Sequence, residues 1–162
     1  MHIDATIVLA EIPGDLPAVR ELFLEYADWL GEDLCFQGFE GELAGLPGDY
    51  AGERGALFIA KSNGEAAGCV ALRPFDATTG EVKRLYVRPA FRGTGLGVKL
   101  ARHVLEVANA AGYQRLVLDT LQKMDSAQRL YRRLGFEPIP AYYHNPIPGA
   151  LYFALRLDSR MR

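Results

Sequence analysis

Two spacings of apolar residues alternate along this chain, and each change of spacing marks a change of element. The run ATIVLA, residues 5–10, is β-rich and reads as a short strand. After Pro13 and Gly14, the apolar positions Leu16, Val19, Leu22, Phe23, Tyr26 and Leu30 recur every three or four residues. That period predicts a helix over about 15–30 with one face for a sheet, Asp15 as N-cap, Pro17 in the first turn and Gly31 as the stop. The glycine- and acid-rich stretch that follows spaces Phe36, Phe39, Leu43 and Leu46 for a second, short helix. From Ala56 the period falls to two: ALFIAKS, a turn at Asn63-Gly64, AAGCVALRPF, the connector DATTG, and EVKRLYV. These segments predict three antiparallel strands in a meander. Leu96, Leu100, Val104 and Ala108 then restore the helical period up to a stop at Gly112. QRLVLDT reads as a strand, DSAQRLYRRLG as a helix capped by Asp125, and GALYFALRL as a final strand. EVKRLYV, the long helix and QRLVLDT make one βαβ unit, which predicts a parallel strand pair.

Composition narrows the setting. With 162 residues and 49% apolar side chains, the chain is sized for one domain with an ordinary core, and no repeat or linker divides it. A net charge of −2 argues against a protein that coats nucleic acid. Anion binding would fall to a local cluster, and Arg92 has Lys83, Arg84, Arg88 and Lys99 near it in sequence. Cys35 and Cys69 lack metal-ligand spacing and form no disulfide framework, so reduced thiols in a cytoplasmic protein are expected. No apolar run approaches the roughly 20 residues of a membrane span, and no basic leader precedes the first strand, so no membrane association is expected.

The segment RGTGLG stands where the alternating pattern ends and the helical one begins. Glycine at a helix start loses about 1 kcal/mol relative to alanine, so Gly93, Gly95 and Gly97 together call for a compensating role. Helix N-termini present unpaired N–H groups and partial positive charge, which suits a phosphate or pyrophosphate, and glycines let it approach the backbone. A Walker loop needs Lys followed by Ser or Thr, which is absent, and the spacing G-x-G-x-G departs from the dinucleotide fingerprint.

Arg92, Gly95 and Gly97 resemble the Arg-x-x-Gly-x-Gly loop of the GCN5-related N-acetyltransferases, which binds the coenzyme A pyrophosphate. Leu85, Val87, Pro89 and Arg92 are similar to that family's approach to the loop, and Leu130, Tyr131, Gly135 and Phe136 to its second signature. The resemblance covers residues 3–157 in element order and is strongest over 81–136. It implies an α/β (α+β) fold: a mixed, mostly antiparallel sheet of about seven strands, flanked by about four helices. The fourth and fifth strands would run parallel and splay to admit the pantetheine arm. It also implies acetyl-CoA as donor with no metal, and cofactor contacts at Leu85, Tyr86, Val87, Arg92, Gly93, Thr94, Gly95, Leu96 and Gly97. Many relatives carry an asparagine where this chain has Met124, and Ser126 or backbone groups would take over its contact.

Acetyl transfer to an amine needs a neutral amine, a stabilised oxyanion and a proton for the thiolate. The resemblance implies Tyr131 as the proton donor and the backbone N–H of Val87 for the oxyanion. It gives Glu81 as the base, directly or through water. Strand alternation sets Glu81, Lys83, Leu85 and Val87 on one face. For the acceptor, a small-molecule or peptide amine, Trp29, Asp33, Phe36, Phe39, Glu40 and Glu42 offer aromatic and acidic groups. Tyr142, Tyr143, His144 and Asn145 form a second candidate lining, while His2 and His103 read as surface or packing residues. A non-catalytic acyl-CoA sensor and a longer acyl donor stay open as alternatives, as does a homodimer; no nucleic-acid or membrane partner is expected.

Overall fold

A computed structural model of the chain describes residues 4–34 and 38–157; Cys35, Phe36 and His2 lie outside the described residues. Seven strands form one sheet: β1 (Thr6–Leu9), β2 (Ala56–Ser62), β3 (Glu65–Pro74), β4 (Thr79–Val87), β5 (Arg115–Leu121), β6 (Glu137–Ile139) and β7 (Ala150–Arg156), in spatial order β1-β2-β3-β4-β5-β7-β6. Among the described residues four α-helices cover it: α1 (Leu16–Leu30), α2 (Phe39–Ala44), α3 (Leu96–Ala110) and α4 (Asp125–Arg133). The expected meander is β2-β3-β4, turned at Asn63 (φ 52°) and Gly64 (φ 79°), the pair of positive φ values a two-residue hairpin demands. β4 and β5 are the parallel pair, joined through α3.

The two faces of the sheet bury separate cores. On one, Leu96, Leu100, Val104 and Ala108 of α3 pack on Phe58, Val70 and Leu116. On the other, Val19, Leu22 and Phe23 of α1 pack on Leu57, Ile59 and Ala71. The stripes predicted from spacing for α1 and α3 thus face the two cores.

The side chains of β4 depart from simple alternation. Cys69 of β3 pairs with Tyr86 and Ala71 with Lys83, so β4 spends three residues where β3 spends two. The extra residue is Arg84, at φ 60°. Val82 faces the α3 side before it, whereas Leu85 and Val87 face that side after it. Glu81 and Lys83 therefore do not share a face with Leu85 and Val87 as strand alternation predicted. The bulge reverses the parity between them.

Two further expectations are corrected. Asp15 does occupy the N-cap position of α1, but its side chain makes no capping hydrogen bond; the carboxylate turns back to accept from the Glu11 N–H at 2.8 Å and the Lys61 ammonium at 3.0 Å. Met124 occupies the N-cap position of α4, which leaves Asp125 in the first turn, where its charge still suits the helix dipole. The three-residue β6 was not anticipated, because EPI is too short to show a period.

Arg84 is buried, and both its Nε and Nη2 donate to Glu42 of α2 at 2.9 Å. Its guanidinium also lies 5.1 Å from the Phe39 ring centroid. Removing one partner of a buried pair strands the other charge. Glu42→Ala is expected to lower stability by about 3 kcal/mol in urea unfolding. A loss below about 0.5 kcal/mol, the range of ordinary surface substitutions, would mean that the bulge stands without this pair.

Candidate active site

Pairing between β4 and β5 runs through Thr79–Arg115, Gly80–Leu116 and Glu81–Val117 and then stops. β4 continues to Val87 on β3, and β5 continues to Leu121 on β7. Past Glu81 the two strands diverge, and the cleft between them is walled by Leu85, Tyr86 and Val87 on one side and Asp119 and Thr120 on the other. Gly97, Ser126, Leu130 and Tyr131 close it from the α3 and α4 ends.

The glycine loop forms one end of this cleft. Gly93 (φ 76°) and Gly95 (φ 85°) occupy the left-handed region, and Gly95 is the N-cap of α3. Gly97 has no such φ; a Cβ there would stand 3.9 Å from both Leu130 Cδ2 and Val87 Cγ2. Two of the glycines thus shape the turn, and the third keeps the space between the walls open. The Thr94 hydroxyl donates to the Phe91 carbonyl at 2.6 Å and tightens the turn, while Leu96 is buried beneath it. Arg92 folds over the cleft: its Nε donates to the Val87 carbonyl at 2.9 Å, and its guanidinium lies 5.1 Å from the Trp29 ring and 5.7 Å from the Tyr86 ring. A second hollow adjoins the loop, lined by Gly95, Gly97 and Ser126 with Arg129 and Arg133. The two arginines were not singled out in the sequence, although their i,i+4 spacing on α4, with Ser126 three residues before the first, sets them along one edge.

Tyr131 is buried at 7% exposure and borders the cleft, its ring set edge-on to Phe136 at 5.6 Å. Burial pushes its phenol well above the ordinary value of 10.0, so it is neutral and able to donate at pH 7. Ser126 borders both the cleft and the arginine hollow, and Met124 lines the cleft beside it.

Glu81 stands elsewhere. At 3% exposure it opens onto a separate cleft bounded by Arg73, Phe75, Lys83, Tyr142 and Tyr143. Its Oε1 accepts from Arg73 Nε at 2.8 Å and its Oε2 from the Tyr142 hydroxyl at 2.6 Å. Burial and the carboxylate neighbours push the Tyr142 phenol upward, as they do that of Tyr143. Lys83 Nζ lies 3.6 Å from Asp119 Oδ1, and Asp119 also accepts from the Tyr143 hydroxyl and, at 3.0 Å, from Asn145 Nδ2. The segment before β7 thereby delivers Tyr142, Tyr143 and Asn145 together, whereas His144 is exposed. His103 packs edge-on against Phe58 at 4.5 Å.

The other aromatic and acidic candidates disperse. Trp29 belongs to the β4–β5 cleft, Phe39 is buried, Glu42 is held by Arg84, and Asp33 and Glu40 are exposed. Among the described residues no group of three or more His, Cys, Asp or Glu could hold a metal ion. No described helix is long and apolar enough to cross a membrane.

Comparison with known proteins gives this geometry a lineage. The family model described as Acetyltransferase (GNAT) family matches residues 16–136. The uncharacterized N-acetyltransferase C1271.07c of Schizosaccharomyces pombe is 40% identical over 156 residues, covering 95% of this chain and 96% of that protein. The N-acetylaspartate synthetase of Rattus norvegicus is 35% identical over 124 residues, covering 75% of this chain and 42% of that protein. Among solved structures, yncA from Salmonella typhimurium, with its cofactor acetyl-CoA, superposes with a TM-score of 0.68 at 20% identity, covering 96% of this chain and 95% of that one. A splayed parallel pair with a glycine loop at one end, a family match across most of the chain and a near full-length relative agree: the chain belongs to the Acetyltransferase (GNAT) family and is an N-acetyltransferase.

Proposed function

We propose that the protein transfers an acetyl group directly from acetyl-CoA to a primary amine of a small molecule or peptide. The observation that carries this reading is the β4–β5 cleft, open beyond Glu81, with the glycine loop at one end and a neutral buried phenol on its wall. The acetyl-CoA in the yncA structure supports the donor, and the name of the rat relative, which makes an N-acetylated amino acid, supports an amine acceptor.

Bound acetyl-CoA supplies an activated acyl carbon on a thiolate leaving group. The protein's part is to bind, align and move protons. Backbone N–H groups of 95–98 and the cations Arg92, Arg129 and Arg133 suit the pyrophosphate and its neighbouring phosphate. Leu85, Tyr86 and Val87 offer a strand edge past the last β5 partner, against which the pantetheine amides pair by strand addition. The Val87 N–H serves the carbonyl oxygen, and the Tyr131 hydroxyl serves the departing sulfur. Arg92 holds the Val87 carbonyl in the structure, so it must turn away for the arm to lie along β4.

Incubation with acetyl-CoA and a broad panel of amines, amino acids and peptides is expected to release free thiol. Silence across that panel with acetyl-CoA binding intact would overturn transfer and favour a sensor. Tyr131→Phe is expected to lower kcat about 10- to 100-fold with little change in acetyl-CoA affinity, because the ring packing is kept and only the proton is lost. An equal loss of affinity would assign the hydroxyl to binding instead.

Gly95→Val forces a β-branched residue into φ 85°, a strain of about 1–2 kcal/mol even with nothing within 4 Å of the new Cβ. Calorimetry is expected to show acetyl-CoA binding at least about 10-fold weaker, equivalent to ~1.4 kcal/mol. Added salt is expected to weaken wild-type binding as it screens the arginines from the phosphates. Trp29, the chain's one tryptophan, should report the rearrangement of Arg92 as a change in fluorescence on binding. Unchanged affinity in Gly95→Val would confine the glycines to the turn.

A further inference from the structure

Two clefts lie near the point where β4 and β5 part. Among the described residues, Lys83 alone lines both. It stands two positions past Glu81, the last β4 residue paired to β5, and its Nζ reaches across the opening toward Asp119 at 3.6 Å. Resting on the acetyl-transfer reading above, we propose that the acceptor, a primary amine, enters through the second cleft, and that Lys83 Nζ is the base that removes the proton from its ammonium group.

Position supports this first. The donor's reactive end must lie in the β4–β5 cleft near Leu85, Val87 and Tyr131, which is already walled off by α1 and α4. A second reactant therefore needs another way in, and the cleft between Phe75, Tyr142 and Arg73 leads to Lys83 at its floor. Phe75 and Tyr142 meet edge-on at 5.1 Å, a ring pair across which an alkylammonium is attracted, and Glu81 adds a carboxylate beside it.

The chemistry of the two alternative bases points the same way. Glu81 borders only the second cleft, and both of its oxygens already accept hydrogen bonds. Asp119 already faces Lys83, Tyr143 and Asn145. Lys83 is different. Its side chain is 4% exposed, and burial draws its pKa down from 10.5; Asp119 of β5 and Glu81 of β4 oppose that shift, while Arg84 and Arg73 reinforce it. The phenols of Tyr26 on α1, and of Tyr142 and Tyr143 before β7, are all pushed upward and are neutral neighbours. That direction favours the neutral amine, whose lone pair can accept a proton, and Asp119 at 3.6 Å then stabilises the ammonium that forms.

The step balances. Acetylation of an alkylammonium forms one C–N bond, breaks one C–S bond and releases one proton beyond that taken by the thiolate. Lys83 takes that proton from the ammonium before attack and returns it to water. The second amine proton passes to solvent as the amide forms, and the thiolate takes its proton from Tyr131, whose phenol is restored from the same solvent.

The test uses the full-length protein with the best amine of the panel, at saturating acetyl-CoA and amine. Wild-type kcat is expected to rise with pH along a limb whose midpoint lies below 10.5 and stays in place when the acceptor is exchanged for one of different amine pKa. Titration of lysine side-chain resonances by NMR should place Lys83 Nζ at the same midpoint. Lys83→Gln should abolish that limb and lower kcat at pH 7.5 about 100-fold. Its acetyl-CoA affinity by calorimetry should stay within about 3-fold of wild type. If Lys83→Gln fails to fold because Asp119 is stranded, Lys83→Gln/Asp119→Asn removes both charges and is read in its place. Glu81→Gln should keep the limb. A limb lost in Glu81→Gln but kept in Lys83→Gln, a limb that moves with the acceptor, a Lys83 that titrates at or above 10.5, or an acetyl adduct accumulating on Lys83 would each overturn the proposal. A wild type that turns over no amine removes both this role and the acetyl-transfer reading. A wild type that works equally well without Lys83 removes this role alone.

Discussion

Arg84 stands at φ 60° in the interior of β4, a backbone conformation that a long side chain enters at a cost of about 1–2 kcal/mol. Four side chains hold it there. Glu42 takes its guanidinium in two hydrogen bonds, the Tyr26 and Phe39 rings lie against the cation at 5.6 and 5.1 Å, and the buried Cys69 thiol donates to its carbonyl at 3.2 Å. The site depends on this one extra residue. It turns Leu85 and Val87 onto the α3 side while leaving Glu81 and Lys83 on the other, and it lies in the part of β4 that has left β5. Without it, the Glu81 carboxylate and the strand edge at Leu85 and Val87 would share a face.

Charge is divided along the same line. The net charge of −2 conceals a local excess of arginine at the glycine loop, where Arg92, Arg129 and Arg133 gather beside the start of α3. In the second cleft Glu81 sits among tyrosines and is paired with Arg73, while Asp119, on the wall of the β4–β5 cleft, faces Lys83. The proposed anionic donor would meet that arginine excess, whereas the second cleft balances Asp49 and Glu81 against Arg73 and Lys83.

The element order was legible in the sequence because buried stripes repeat: Val19, Leu22 and Phe23 on α1, and Leu96, Leu100 and Val104 on α3, are the residues that the helical period selects. The glycine loop was legible because Gly93 and Gly95 adopt positive φ, a conformation that leaves a mark on residue choice. The bulge left no such mark. Arg84 is not glycine or asparagine, and its strain is relieved by Glu42, 42 residues away, a partner that no local spacing reveals. For the same reason the Lys83–Asp119 pair, which joins two strands through a crossover helix, was invisible as a pair, and Glu81 was assigned to the face of Leu85. Asp15 and Asp125 show a smaller form of this limit. Acidic residues at helix starts are read as caps, but Asp15 found Lys61 on β2 instead.

In the proposed function the gap between β4 and β5 is the donor's berth, with coenzyme A lying along β4 as an added strand and its phosphates on the first turn of α3. Amide hydrogen exchange tests it residue by residue, since a bound strand protects the N–H groups it pairs with. Saturating acetyl-CoA should slow exchange at residues 85–87 and 95–98 and leave β1 and β6, at the two edges of the sheet, unchanged. Binding without protection in those two segments, or protection confined to other parts of the sheet, would contradict it.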